Sequence, residues 1–151
     1  MISPELLRRY EFFACLNDAQ QKAVAMVADV AAYADGTVVF REGDTARSVF
    51  LLMEGSVELS IASTQDVGKG LFVGAVGPGE PFGISAGLEG KTYAASARAT
   101  SACRAVKLDG AAFRSLAGLD CSLGFCMMKQ MADAALGRLE MAYVELAAAQ
   151  T

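Results

Sequence analysis

Between residues 30 and 109 the chain reads as short runs rich in Val, Phe, Leu and Ile, cut by the glycine-bearing turns Asp35-Gly36, Glu42-Gly43-Asp44 and Glu54-Gly55. That alternation constrains the fold more than any other feature, because runs of this length between turns of this kind are strands. In residues 56–62, Val57, Leu59 and Ile61 alternate with Glu58 and Ser60, the period of a strand with one buried face. Residues 48–53 are more continuously apolar, and further strands are expected over 71–76, 94–99 and 102–108. The stretch Gly77-Pro78-Gly79-Glu80-Pro81 is expected to be a loop, since proline cannot serve a central ladder. Many short strands in about 80 residues predict a mainly β fold that closes its own edges, an antiparallel β-roll or jelly roll.

Helices flank this region. Ser3 and Pro4 stand as N-cap and first helical residue of a short helix expected to carry Leu6, Leu7 and the pair Phe12-Phe13. Asn17 and Gln20 have the spacing of a capping box, and Ala23, Val24, Met26 and Val27 supply an apolar face behind it, with Arg8 and Arg9 on the solvated side. Asp109 and Asp120 are expected to cap two C-terminal helices, the second running nearly to the end. The chain thus divides into N-terminal helices over 1–29, a β-roll over 30–109 and C-terminal helices over 110–151, all within one domain.

On the long helix, Phe125, Met128, Ala132, Ala135, Leu139, Ala142, Leu146 and Ala149 recur at alternating intervals of three and four, an unbroken a/d seam. One amphipathic helix can lay such a stripe on its own β-roll. Met127, Met131, Leu136 and Tyr143 flank the seam, however, and the added width favours a homodimer in which Phe125, Met128, Ala132, Ala135, Leu139, Ala142 and Leu146 meet their counterparts. Gly137 falls on the outer face of that reading, with no packing role.

Composition excludes several function classes. Zero histidines rule out histidine-ligated metals, Ser-His-Asp triads and histidine acid-base work, so neither catalytic nor metal-ligating residues are assigned, and no cofactor is expected. A net charge of −4 gives no long-range attraction to nucleic acid or anionic lipid. Mean hydropathy is positive, but the longest apolar stretch, residues 23–34, contains Asp29 and is too short to span a membrane. The N-terminus has no apolar run after its start, so a cytoplasmic location is expected. Cys15, Cys103, Cys121 and Cys126 form no CxxC pair and read as buried free thiols.

Helix, β-roll and long C-terminal helix resemble the cyclic-nucleotide-binding domains of catabolite-activator-type proteins and kinase regulatory subunits. Three stretches carry the resemblance: Gly36-Thr37-Val38-Val39-Phe40-Arg41-Glu42-Gly43-Asp44, Val49-Phe50-Leu51-Leu52-Met53-Glu54-Gly55-Ser56-Val57-Glu58-Leu59, and Gly77-Pro78-Gly79-Glu80-Pro81-Phe82-Gly83. The resemblance implies a phosphate-binding cassette that opens Phe-Gly-Glu and closes on Arg, Ser or Thr, and Ala. The Glu would accept from the ribose 2′-hydroxyl and the Arg would clamp the cyclic phosphate. Here Phe82, Gly83, Ile84, Ser85 and Ala86 open the cassette and Tyr93 and Ala94 close it, so Ile84 stands for the Glu, Tyr93 for the Arg and Ala94 for the hydroxyl residue. The glycine-bearing backbone, with Gly83 and Gly87, is what remains for an anion. Lys91 and Glu89 are near enough in sequence to act as substitutes, while Arg98 and Arg104 read as outward strand residues.

The expected function is a non-enzymatic regulatory or sensor module. It takes an effector of unidentified kind, or has a vestigial pocket, and does not hold cyclic AMP or cyclic GMP through the usual contacts. A second reading is the effector-sensing part of a transcriptional regulator, with a cyclic nucleotide bound by non-standard residues. Few residues follow Leu146, so no recognition helix is expected and DNA binding would need another chain or a longer parent. A cupin-type enzyme is the third possibility and lacks the histidines it would need.

Overall fold

The computed structural model describes residues 1–65 and 68–150. Eight antiparallel strands form two four-stranded sheets, in the orders β1-β8-β3-β6 and β2-β7-β4-β5, with helices at both ends of the chain. In the first sheet β1 (Ala28–Tyr33), β8 (Cys103–Asp109) and β3 (Ser48–Glu54) pair in turn. In the second, β2 (Val38–Phe40), β7 (Ser96–Ala99), β4 (Val57–Ala62) and β5 (Gly70–Val76) do the same. This is the β-roll expected from the spacing of turns.

Three boundaries differ from the sequence reading, the simplest being that the strand expected over 94–99 starts only at Ser96. The first strand begins at Ala28, so the division after residue 29 falls inside β1. Pro81 and Phe82 are not loop but a two-residue strand, β6, paired with Leu51 and Phe50. It lies on the sheet edge, where the missing proline N–H breaks no ladder. Strand β3 is buried from Ser48 to Leu52 on both of its faces, which explains its continuously apolar sequence.

The N-terminal elements are α1 (Pro4–Leu7), a 3-10 turn (Glu11–Phe13) and α2 (Asp18–Met26). Phe12 and Phe13 therefore sit on a separate turn rather than on the first helix, and both are buried. The capping box forms as expected, each side chain of Asn17 and Gln20 accepting from the other's backbone N–H at 2.9 Å. On α2 the buried face is Val24 and Ala25, and Met26 points to solvent.

The chain ends in α3 (Gly110–Leu119) and α4 (Cys121–Ala149), capped by the carboxylates of Asp109 and Asp120. Asp120 also accepts from the Gln20 amide at 3.1 Å, joining the start of α4 to α2. Hydrogen bonds from Gln20, Ser122 and Leu123 hold its carboxyl below the usual carboxylate range. Leu123, Cys126, Met127 and Met131 bury the first half of α4 in the core, whereas residues 139–150 are exposed.

Cysteine chemistry departs from the sequence reading. Cys15 and Cys126 are joined as a disulfide, with Cα atoms 5.9 Å apart, linking the residues after the 3-10 turn to the second turn of α4. Irregular spacing hides the pair because the two cysteines lie 111 residues apart and meet only after folding. Cys103 is the buried thiol that was expected, and Cys121 is an exposed one.

Closing so long a loop restricts the unfolded chain, an effect worth about 2–4 kcal/mol in typical proteins. Urea unfolding with and without a thiol reductant should show a drop of that size, absent from a Cys15→Ser, Cys126→Ser variant. Equal midpoints in both conditions would show that the bond does not form in solution.

Candidate functional site

The cassette lies where the two sheets and α4 converge. Phe82 on β6 is fully buried and stacks on Phe50 at a centroid distance of 4.9 Å. Gly83 then adopts φ 66°, and a Cβ there would come within about 3.1 Å of Phe40, Phe50 and the Ser48 carbonyl, so the turn into the cassette requires glycine. A short 3-10 turn, Ile84–Gly87, follows. Gly87 at its end is covered by α4, because a Cβ would stand 2.7 Å from the Met131 sulfur.

Tyr93, which the resemblance sets where an arginine is expected, is buried and points into the protein. Its hydroxyl donates to the Ser48 carbonyl at 2.6 Å and accepts from the Ser48 N–H at 3.1 Å. Its ring stacks on Phe40 with centroids 3.7 Å apart. Burial pushes the phenol up from its ordinary value, offset in part by the hydrogen bond to Ser48. Tyr33 is pushed up in the same way by burial, and further by the charge of Tyr93.

Above this floor is a cavity of roughly 270 Å³. Phe40, Leu59, Ile84 and Ala135 supply apolar walls, and Ser85 and Ala94 stand at its edge. Of the expected cassette residues, Gly83, Ile84, Ser85, Tyr93 and Ala94 therefore meet at one cavity, while Phe82 lies beneath it. Ala86 does not line it; Ala86 is buried and its carbonyl accepts from Arg114 at 2.7 Å. Glu89 and Lys91 are exposed and away from the cavity. Arg98 and Arg104 make cross-strand ion pairs with Glu58 and Glu54, each at 3.6 Å, on outward faces.

The cation at this cavity is Arg138 on α4, which sequence reasoning missed. It is half-buried, donates to the Pro81 carbonyl, and among the described residues has no carboxylate within ion-pair distance. Burial lowers its pKa, opposed by the charge of Glu80. The missed signal is a second stripe one residue behind the a/d seam: Met127, Met131, Ala134, Arg138, Met141 and Glu145. Met127 and Met131 are buried on the roll, and the other four continue along the groove beside β5. Gly137 lines that groove too, rather than facing away. The groove is the larger, about 460 Å³, but no residue from 83 to 94 reaches it.

The expected interface residues divide between two environments. Met128 is half-buried, and with Ala132 and Ala135 it borders an apolar hollow against Ile84 and Leu88. Phe125, Leu139 and Leu146 are 72%, 44% and 57% exposed, and Ala142 is exposed as well. Among the described residues no cluster of potential metal ligands occurs, and no helix is long and apolar enough to cross a membrane.

With this geometry the chain matches the family model for the cyclic nucleotide-binding domain over residues 30–119, and it belongs to that family. A crystal structure of a Geobacter metallireducens protein named as a cyclic nucleotide-binding protein superposes with a TM-score of 0.81 at 40% identity, covering 92% of this chain and 99% of that one. A Rhodopseudomonas palustris protein named as a potassium channel protein is 33% identical over 113 residues, which are 73% of this chain and 26% of that protein. The chain thus spans about a quarter of that relative. In fold it is also similar to the regulatory subunit of a cAMP-independent protein kinase A from Trypanosoma brucei, in a mutant bound to cAMP, with a TM-score of 0.75 at 18% identity over 94% of this chain and 49% of the other.

The Tyr93 hydroxyl satisfies a buried N–H and a buried carbonyl at once, so Tyr93→Phe orphans both. The expected loss is about 1–3 kcal/mol in chemical unfolding. Because the phenol's pKa is raised in the fold, its contribution is full below the unfolded value near 10 and falls as pH rises through the folded value. The variant should therefore lose stability less steeply above pH 10, with Tyr33 supplying the remaining slope. An unchanged alkaline limb would contradict this role.

Proposed function

We propose that this domain is a non-enzymatic regulatory or sensor module whose cassette does not hold cyclic AMP or cyclic GMP through the family's usual contacts, and whose long helix forms a homodimer. The observation that carries the first part is Tyr93 bonded to Ser48 where an arginine would face a phosphate. Ile84 offers no acceptor to a ribose hydroxyl and Ala94 no donor. Backbone amides, and the Arg138 guanidinium already bonded to the Pro81 carbonyl, can offset only part of what is absent. Missing one charge-assisted and two neutral contacts costs about 3 to 6 kcal/mol, enough to turn a micromolar site millimolar or weaker.

Titration calorimetry with each cyclic mononucleotide tests this, with no saturable binding expected in the micromolar range. A dissociation constant near a micromolar would overturn the reading. The variant Ile84→Glu, Tyr93→Arg, Ala94→Ser should gain binding of cyclic nucleotide. It should also lose stability, because it gives up the bond between Tyr93 and Ser48.

The distal half of α4 supports the dimer. Leu136, Leu139, Tyr143, Val144 and Leu146 are exposed on a helical segment that little else covers, and isolated helical turns are marginal in water without tertiary packing. A parallel partner helix would cover Leu139, Ala142 and Leu146, and the alanines would let the two backbones approach closely. Leu139→Asp places a charge in that seam from each chain and should convert a dimer to monomer in sedimentation equilibrium, at a cost of several kcal/mol. A monomeric wild-type protein at micromolar concentration would refute it. A cytoplasmic location fits this reading, although a disulfide persists in oxidising surroundings, so in a reducing cytoplasm Cys15 and Cys126 would be two thiols.

A further inference from the structure

We propose that the cavity between the cassette and α4 binds a small apolar carboxylate, its hydrocarbon part against Phe40, Leu59 and Ile84 and its carboxylate on the guanidinium of Arg138. This rests on the reading above, in which the cavity is a sensor site that has given up its cyclic-nucleotide contacts.

Four observations select this ligand class. The walls are apolar, so a sugar's hydroxyls would be desolvated there without partners, whereas a hydrocarbon chain or aromatic ring would not. The volume of roughly 270 Å³ lies just below the ~300–1,000 Å³ usual for pockets that take drug-sized ligands, which favours a small one. One cation reaches the cavity, which matches the single charge of a carboxylate but leaves the second charge of a phosphate monoester uncompensated. Finally, Arg138 is charged, half-buried and held only by the neutral carbonyl of Pro81. A guanidinium presents five donors in a planar fork that pairs with a carboxylate through two parallel bonds.

Glu80 lies close enough to act on Arg138 electrostatically, and Glu145 lines the neighbouring groove. Neither carboxylate is within ion-pair distance of the guanidinium. The position is open to an external anion. That anion would draw Arg138 away from the Pro81 carbonyl, so occupancy would act directly on α4.

The test compares octanoate with octan-1-ol, and phenylacetate with 2-phenylethanol, by titration calorimetry on the full chain below micellar concentrations. Each acid should bind at least tenfold more tightly than its alcohol. Arg138→Gln should weaken the acids about 10- to 100-fold, the range of a lost charge-assisted hydrogen bond, and leave the alcohols unchanged, which also reports an intact cavity. Arg104→Gln, on the outward face of β8, should alter neither. Equal affinity of acid and alcohol, no binding of either, or octanoate unaffected by Arg138→Gln would each overturn the proposal. If Arg138→Gln does not fold, the wild-type comparison of acid with alcohol decides alone. Cyclic AMP titrated in parallel separates the two readings. Micromolar binding of the nucleotide overturns the functional reading above. Failure of the acids, with the nucleotide also silent, overturns only this inference.

Discussion

The bond between the Tyr93 hydroxyl and the Ser48 backbone is the contact on which the interior of the roll depends. Ser48 begins the central strand of one sheet, and Tyr93 leads into β7 of the other. The link between them closes the end of the roll nearest the cassette. It also sets the ring of Tyr93 on Phe40, which in turn packs against Phe50 and Phe82, so four aromatic rings from both sheets share one stack. A cation in the same place would have to be solvated or paired with an anion, and the apolar stack offers neither. Tyr93 instead spends its polar atom on Ser48 and its ring on Phe40, and so completes the core.

Helix α4 serves two surfaces that differ by one residue of register. Met127 and Met131 face the roll, followed along the same line by Ala134 and Arg138. The seam that begins at Phe125 turns by about 100° from this line. Over Met128, Ala132 and Ala135 it still borders the cassette, and further on it leaves the protein altogether. Any change in how the helix lies on the roll must therefore alter what the seam presents outward.

Most of the fold was legible because local rules and tertiary packing agree in it. Turn glycines, the alternation through Val57 and Leu59, and the caps at Ser3, Asn17, Asp109 and Asp120 each act over a few residues, and each appears as expected; the alternation fails only at Ile61, after the register shift at Leu59 and Ser60. Of the seven cassette residues named from the family resemblance, five line one cavity. What sequence could not supply was long-range. The disulfide joins residues from opposite ends of the chain, the edge position of Pro81 depends on which strand it pairs with, and the inward aim of Tyr93 depends on Ser48 being beneath it. Arg138 was missed because the a/d seam one residue away is richer in leucine and more regular in its spacing, so the neighbouring stripe stayed unread.

The disulfide between Cys15 and Cys126 gives α4 a fixed end. Everything beyond Cys126 is attached to the body by side-chain contacts alone, and at ~1.5 Å per residue that portion extends roughly 35 Å. Arg138 lies about half-way along it, ~18 Å from the pivot. The helix is then a lever with its fulcrum at Cys126, and a displacement at Arg138 is roughly doubled at the tip. A tilt of about 10° would carry the last turn through roughly 6 Å.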